Sequence, residues 1–198
     1  MGRKSNAAEK RSQIVTAFCD CVIDLGLDKA TMGEVAARVG MDRSTMHYYF
    51  RTREELVAEA TQHITHFYVE RIENIVAKLS PADRAQQLVE LLFGPTFHQP
   101  RQSILLDELT TLGNRDAFFQ DQVAGFYRRI EAIVVQVIDE SFRDRPAKDR
   151  RLIAYAISQL SEGTTVFMSL GFDKSRRLAA RQAALMMLKQ LAPDDREA

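Results

Sequence analysis

The spacing of apolar residues along the chain is helical almost throughout. Apolar side chains recur every three to four residues, and no stretch alternates apolar and polar residues for long enough to predict a strand. Pro and Gly are few and lie between the periodic segments, where helices end. We therefore predict an all-α fold of about nine helices. Their expected limits are 7–25, 31–40, 42–49, 52–79, 82–93, 102–112, 116–142, 148–170 and 175–191.

Two of the predicted helices are long. In 116–142, apolar residues recur at alternating spacings of four and three from Phe119 to Val137, with a second apolar stripe beside the first. A helix that is apolar on so wide an arc is expected to be buried on most sides. The helix over 52–79 would be a rod about 40 Å long at 1.5 Å per residue. We expect this fourth helix to join an N-terminal three-helix domain to a C-terminal helical bundle.

Two short helices near the N-terminus are joined by a turn that contains Gly40. Thr31, with Glu34 three residues later, is typical of an N-terminal capping box. Glycine suits the turn because the chain enters a left-handed conformation there. With the longer helix that ends near Gly26, these elements have the dimensions of a helix-turn-helix unit. The apolar wedge expected between the short helices consists of Val35, Ala36, Val39, Met46 and Phe50.

The outward side of the second short helix is basic, hydroxylated and aromatic. Arginine can reach two acceptors on a guanine edge, threonine can give a hydroxyl hydrogen bond or a methyl contact, and Tyr and His donate to phosphates. Helix N-termini near Thr31 and Thr52 also favour phosphate. The candidate DNA-binding residues are Thr31, Arg43, Ser44, Thr45, His47, Tyr48, Tyr49, Thr52 and Arg53. The alternatives are a solvated helix face, or Tyr48 and Tyr49 simply packing on the first helix.

Charge is distributed unevenly along the chain. The whole chain carries 27 Lys+Arg and 27 Asp+Glu, which argues against bulk coating of nucleic acid. Residues 1–53 hold nine Lys/Arg and six Asp/Glu, a net charge of +3, and residues 54–198 have a net charge of −3. The first residues add a basic arm of Arg3, Lys4, Lys10 and Arg11. We predict a DNA-binding domain over 1–53 and a second domain over 54–198, to which the ligand-binding and dimerisation functions considered below are assigned.

Four short motifs carry a resemblance to a known family. Residues 31–36 read TMGEVA, 39–41 read VGM, 44–50 read STMHYYF and 53–56 read REEL. With Gly26, this segment resembles the DNA-binding domain of the TetR/AcrR family. The resemblance implies a dimeric transcriptional repressor whose C-terminal helical domain binds a small molecule and then releases operator DNA. The family usually has Tyr at the position of His47 and Lys at that of Arg53; both replacements can still donate to phosphate, and His47 could make affinity pH-dependent.

The last two helices are the expected pairing surface, because helix-turn-helix modules gain specificity by pairing across a two-fold axis. Small residues allow close helix approach, and large apolar residues beside them supply contact area. The set is Leu178, Ala179, Ala180, Ala183, Ala184, Leu185, Met186, Leu188 and Leu191. The alternative is that the last helix only covers the core of its own subunit. The resemblance implies a four-helix dimer bundle made of helices 8 and 9 from each subunit.

Bulky residues concentrate on helices 5 to 8 and predict an effector pocket. A compact core usually mixes side-chain sizes, whereas an aromatic cluster near Gly94 and Gly113 could line a cavity. A carboxylate at Glu162 would cost several kcal/mol if buried alone, so it is exposed, paired or directed at a cationic or hydrogen-bonding ligand. The candidate lining is Phe93, Phe97, Leu105, Leu109, Phe119, Phe126, Tyr127, Glu162 and Phe167. An ordinary packed core is the other interpretation.

Several classes of protein are disfavoured by the sequence. No apolar run is long enough to span a membrane and no secretory leader is present, so we expect a cytoplasmic protein. Cys19 and Cys21 diverge on one helix and cannot bridge each other. His63, His66 and His98 lack the spacing of a metal site, and no catalytic motif or phosphate loop is present. We therefore predict neither catalysis nor a cofactor.

The sequence thus predicts a ligand-responsive homodimeric transcriptional regulator, a repressor that binds a palindromic operator through its third helix. Ligand binding would change the angle of helix 4 and so the separation of the two recognition helices, which must match about 34–36 Å. The alternative is a helical DNA-binding protein without a small-molecule ligand, controlled by a protein partner.

Overall fold

The computed structural model describes residues 2–95, 97 and 100–192, with the side chains of 7–95, 97 and 103–192. Over these residues the chain is helical without strands, which confirms the all-α prediction. The helices are α1 (Gly2–Leu25), α2 (Met32–Arg38), α3 (Arg43–Tyr49), α4 (Arg53–Val76), α5 (Arg84–Leu92), α6 (Pro100–Gly113), α7 (Ala117–Ser141), α8 (Ala147–Ser169) and α9 (Lys174–Lys189). A short 3₁₀ helix over Leu27–Lys29 was not predicted, and α4 ends at Val76 rather than Leu79.

The chain forms two compact units. Unit 1 comprises Met1–Tyr68 and Ile104–Gly125, and unit 2 comprises Val69–Ser103 and Phe126–Ala198. The predicted boundary after Arg53 falls within unit 1. The first half of α4 lies in this unit and buries one apolar face there, through Leu56, Val57, Ala60 and Ile64. The division into 1–53 and 54–198 is therefore a functional hypothesis rather than a division of the core.

The core of unit 1 holds the two short helices against α1. Val35 of α2 and Met46 of α3 are completely buried, as is Phe50, which ends α3. Ile14 and Phe18 of α1 are buried as well. These residues include most of the predicted wedge; Val39 is only half-buried. The angle between α2 and α3 is thus set by packed apolar side chains.

Unit 2 is a helical bundle in which α9 packs on α5 and α8. Its core contains the buried side chains Leu88, Val89, Leu92 and Phe93, and Val134, Val137, Ile138, Ala154, Ile157, Ala184 and Leu188. Two polar contacts add to this packing, one half-buried and one buried. Arg84 donates to Glu140 at 2.6 Å, and Ser161 donates to the carbonyl of Leu92 at 3.3 Å.

Candidate nucleic-acid interface and effector site

The turn between α2 and α3 has the geometry that the sequence predicts. The hydroxyl oxygen of Thr31 accepts the backbone N–H of Glu34 at 3.2 Å and so caps α2. Gly40 has a φ of +66°, the left-handed conformation that glycine adopts without a steric penalty. The N–H of Met41 donates back to the carbonyl of Ala36 at 2.9 Å. These bonds use carbonyl and N–H groups that the helix ends leave unpaired.

Asp42 caps the start of α3 with an unusually full set of hydrogen bonds. Its Oδ1 accepts the N–H of Thr45 at 2.8 Å and the hydroxyl of Ser44 at 2.6 Å, and its Oδ2 accepts the hydroxyl of Thr45 at 2.7 Å. These donors, the Ser44 hydroxyl first among them, hold the pKa of the Asp42 carboxyl well below its ordinary value. The sequence predicted the helix start near Asp42 but not this use of its carboxylate.

The outward face of α3 is open to a partner. Arg43, Ser44, His47 and Tyr48 are exposed, Tyr48 to 79% of its surface, while Thr45 and Tyr49 are half-buried. The Tyr48 ring meets the Tyr49 ring edge to face, with centroids 5.1 Å apart. Tyr48 therefore does not pack into the core, which argues against the packed alternative for this residue; the alternative of a solvated face agrees with the same exposure. The base and phosphate contacts of these residues remain predictions.

Arg11 has a different surrounding from the one expected of a basic arm. Its guanidinium donates to both carboxylate oxygens of Glu59, to Glu55 at 3.2 Å and to the carbonyl of Tyr49. It also lies 4.1 Å from the centre of the Phe50 ring. Arg11 thus joins α1 to the end of α3 and to α4. Lys10 donates to exposed Gln13, and the side chains of Arg3 and Lys4 lie outside those described.

Thr52 and Arg53, the predicted phosphate contacts at the start of α4, differ in exposure and in hydrogen bonding. Thr52 is exposed, and its hydroxyl oxygen accepts the N–H of Glu55 at 3.1 Å. Arg53 is half-buried and donates to the backbone carbonyls of Ala30, at 3.4 Å, and Leu27. The structure gives Arg53 a role in holding the 3₁₀ helix to α4. Its phosphate contact remains a prediction.

The predicted effector residues are divided between the two units. Leu105, Leu109 and Phe119 lie in unit 1 and the others in unit 2. Phe93, Leu105, Leu109, Phe119 and Phe126 are buried, Phe97, Tyr127 and Glu162 are half-buried, and Phe167 is 45% exposed. Two clefts in unit 2 are lined by other residues: one runs along α7 from Arg128 to Arg143, and one lies between the start of α5 and α9. The effector pocket therefore remains a prediction.

The histidines do not assemble a metal site in the described part of the chain. His63 and His66 are exposed on α4, and no group of three His, Cys, Asp or Glu side chains suited to a metal occurs among the described residues. His98 lies outside the described residues.

Helix α8 carries an exposed apolar stripe that the sequence analysis did not single out. Its members are Leu152, Tyr155, Val166 and Leu170, which are 63%, 52%, 48% and 68% exposed. Tyr155, Gln159, Glu162 and Val166 follow one another at spacings of four, three and four residues. The two polar residues therefore lie on the same side of the helix as Tyr155 and Val166. This spacing was the available signal, but Glu162 was assigned to the pocket instead.

Helix α9 divides the predicted pairing residues between two opposite sides. Ala184 and Leu188, with Leu191 just beyond the helix, are buried within their own subunit. These three residues cover the core of their own subunit, and pairing through the rest of the helix stays a prediction. Leu178 and Met186 are 56% and 60% exposed. We refer to the exposed apolar residues of these two packed helices, Leu152, Tyr155, Val166, Leu170, Leu178 and Met186, as the α8–α9 face.

The sequence of this chain is similar to those of known transcriptional regulators. A sequence model of bacterial regulatory proteins of the tetR family matches residues 14–60. The HTH-type transcriptional regulator BetI of Cronobacter sakazakii is 20% identical over 197 residues, which cover 95% of each chain. Each match includes the capped turn and the α3 face.

Solved structures share the whole fold. A TetR transcription regulator from Haloarcula marismortui has a TM-score of 0.78 at 19% identity and covers 92% of this chain and 98% of its own. A chain described as a transcriptional regulator from Saccharomonospora viridis, solved in complex with choline, has a TM-score of 0.77 at 18% identity and covers 92% of this chain and 96% of its own.

Fold, turn and outward α3 face together define a helix-turn-helix DNA-binding regulator. Residues 14–60 match the tetR family model, so the resemblance of the helix-turn-helix segment to TetR-family regulators that was found in the sequence is confirmed. The relatives of this chain are transcriptional regulators and not enzymes, in agreement with the sequence analysis. None of the helices described here has a stretch long and apolar enough to cross a membrane.

Proposed function

We propose that this chain is a homodimeric repressor that binds a palindromic operator through α3 and releases it when a small molecule binds the C-terminal domain. The observation that carries the proposal is the exposed row of Arg43, Ser44, His47 and Tyr48 on a helix held by a buried wedge. Such a rigid helix presents its N-terminal residues to base edges and its other polar groups to phosphates. Residues 1–53 would contact DNA, and 54–198 would bind ligand and pair the subunits.

The exposed apolar face of α8 and α9 supports pairing. Leu152, Leu170, Leu178 and Met186 are each more than half exposed in the single chain. Apolar residues clustered on one helical face mark a surface that another protein covers. A second copy is the natural partner, because two identical faces give a two-fold dimer that matches a palindromic site.

A small cation is the ligand class that we propose for the effector site. The Saccharomonospora viridis relative was solved with choline, a quaternary ammonium compound. Aromatic faces and a carboxylate are the groups that bind such cations. Tyr127 and Glu162 are both half-buried, and the predicted lining also includes the aromatic residues Phe93 and Phe126. Choline is therefore the first compound to test.

The proposed route of release is a change in the angle of α4, whose residues belong to both units. Tilting α4 would alter the separation of the two α3 helices from the required value of about 34–36 Å. Spin labels at Gln62, which lies on α4 in the same compact unit as α3, would measure the distance between the two DNA-binding units with and without ligand. Release of DNA at an unchanged distance would contradict the route.

The test of function is fluorescence anisotropy with labelled DNA from either side of the protein's own gene, at two salt concentrations. Random DNA of equal length is the control. Specific binding that choline weakens is the expected result. Equal, strongly salt-dependent binding to both DNAs would contradict a nearby operator, and no binding at either salt would contradict DNA recognition itself.

A second candidate is a regulator without a small-molecule ligand, controlled by a protein partner. One observation favours it: neither of the two clefts described in unit 2 is lined by a predicted effector residue. Calorimetric titration with choline separates the two candidates. Heat of binding that Glu162→Gln reduces supports the ligand, and DNA binding without any response to choline supports the second candidate.

A further inference from the structure

We infer that Asp42 decides which bases Ser44 and Thr45 can read, because it accepts a hydrogen bond from each hydroxyl and leaves both side chains as acceptors only. The inference rests on the proposed DNA contact of α3. It concerns hydrogen-bond direction at the start of the recognition helix, a property that the residue types alone leave open.

The geometry shows which oxygen atoms accept hydrogen bonds from the two hydroxyls. Asp42 precedes the helix with extended backbone, φ −75° and ψ 161°, so its carboxylate turns back over the first turn of α3. Ser44 Oγ lies 2.6 Å from one carboxylate oxygen, and Thr45 Oγ1 lies 2.7 Å from the other. Each distance is that of a short hydrogen bond to a charged oxygen.

The direction of these bonds follows from the chemistry of the groups. An ionised carboxylate has no proton and can only accept, and a hydroxyl has one proton to give. The low pKa of Asp42 keeps it ionised at neutral pH. The Ser44 and Thr45 hydroxyls must therefore be the donors, and only their oxygen lone pairs remain for an outside group.

Acceptor-only side chains discriminate between base edges in the major groove. The donors there are the amino groups of cytosine and adenine, whereas guanine O6 and N7, thymine O4 and the phosphates only accept. Ser44 and Thr45 would thus favour C or A and would not donate to phosphate. Arg43, the exposed neighbour, is a donor only and favours guanine. The helix start would present a donor directly beside two acceptors.

The test is selection of binding sites from a pool of random duplex DNA by the full-length protein and by Asp42→Asn. Asn caps a helix as well as Asp, but its amide nitrogen donates, so at least one hydroxyl must accept from it and turn its proton outward. We expect the wild type to select C or A at the positions that Ser44→Ala or Thr45→Val relaxes. Asp42→Asn should shift at least one of these positions to G or T.

Competition binding would quantify the shift. The ratio of affinities for the two selected sequences should change by about two- to tenfold, the range for one net hydrogen bond. The ratio is the readout because Asp42→Asn also removes a negative charge and so strengthens binding to all DNA. Thermal unfolding monitored by circular dichroism confirms that the variant is folded.

The control is Asp42→Asn in a chain that also carries Ser44→Ala and Thr45→Val. Without the hydroxyls, the Asp42 substitution should no longer change base preference. A change that persists there, or an Asp42→Asn variant that selects the same bases as the wild type, would overturn the inference. A wild-type protein that selects no sequence would contradict the proposed function as well, so the two failures are distinguishable.

Discussion

The helix-turn-helix segment over 31–50 and the α8–α9 face differ in where their large apolar side chains lie. In the first, Thr31 and Asp42 cap their helices, and the apolar residues Met46 and Phe50 are fully buried. In the second, large apolar side chains from Leu152 to Met186 are exposed to solvent in the single chain. The first region is complete in one chain, whereas we propose that a second subunit covers the second region.

The largest effect is expected for a substitution in the buried wedge between α2 and α3. Phe50→Ala should lower the free energy of unfolding by about 3–5 kcal/mol, since Phe50 has no exposed surface and leaves a cavity. Chemical denaturation followed by circular dichroism measures the change. Tyr48→Ala, at a position 79% exposed, is the matched aromatic control and should change stability by about 0.5 kcal/mol or less. Similar losses in both variants would break the comparison.

A charge on the α8–α9 face tests the other region. Met186→Glu should weaken the proposed dimer by about 2–4 kcal/mol, because the two-fold axis brings in one new carboxylate from each subunit. Sedimentation equilibrium gives the dissociation constant. Stability of the subunit should hardly change, since Met186 is 60% exposed. The control is Gln62→Glu on the exposed side of α4; an unaffected dimer in Met186→Glu would place the interface elsewhere.

Two arginines of the DNA-binding unit should differ in what they control. Arg43→Ala should cost about 1–3 kcal/mol of operator binding and relax one base position, because its exposed side chain is free to reach a base. Arg53→Ala should weaken binding to all sequences alike, and it should also lower stability since Arg53 donates to the carbonyls of Ala30 and Leu27. Binding to operator and random DNA, with melting curves, separates these effects. Equal losses on both DNAs in Arg43→Ala would contradict base reading.

The smallest effect is expected for Arg11, whose partners are distant in the sequence. Arg11→Ala should lower stability by about 1–2 kcal/mol, because its bonds to Glu55, Glu59 and the Tyr49 carbonyl are half-exposed. The control is Lys10→Ala, which removes only an exposed bond to Gln13.

The pH dependence of this effect has a definite sign. The N–H of Arg51 first, and then Arg11, lower the pKa of Glu55. The stabilisation is therefore present above the ordinary glutamate pKa of about 4.3 and is lost as pH falls through the lowered value in the folded protein. The difference between wild type and Arg11→Ala should shrink below about pH 4. A difference that stays constant down to pH 2 would contradict a role for Glu55.

The sequence was sufficient where the physics is local. Thr31 with Glu34 and Gly40 in the turn act within four residues, and the structure has both as predicted. Arg11 was misplaced because its partners Tyr49 and Glu59 lie 38 and 48 residues later in the chain. Periodicity also could not separate Ala184 and Leu188 from Leu178 and Met186, since α9 is apolar on more than one side and nothing local says which side meets its own subunit.

The sequence by itself determined the helices, the capped turn and the chemistry of the α3 face, because capping, glycine conformation and apolar period depend on residues a turn or two apart. Only the tertiary structure decided that Arg11 and Arg53 hold backbone carbonyls and that α8 has an exposed apolar stripe. Each of these depends on where side chains point once the helices pack, and that is settled by the sum of contacts across the fold.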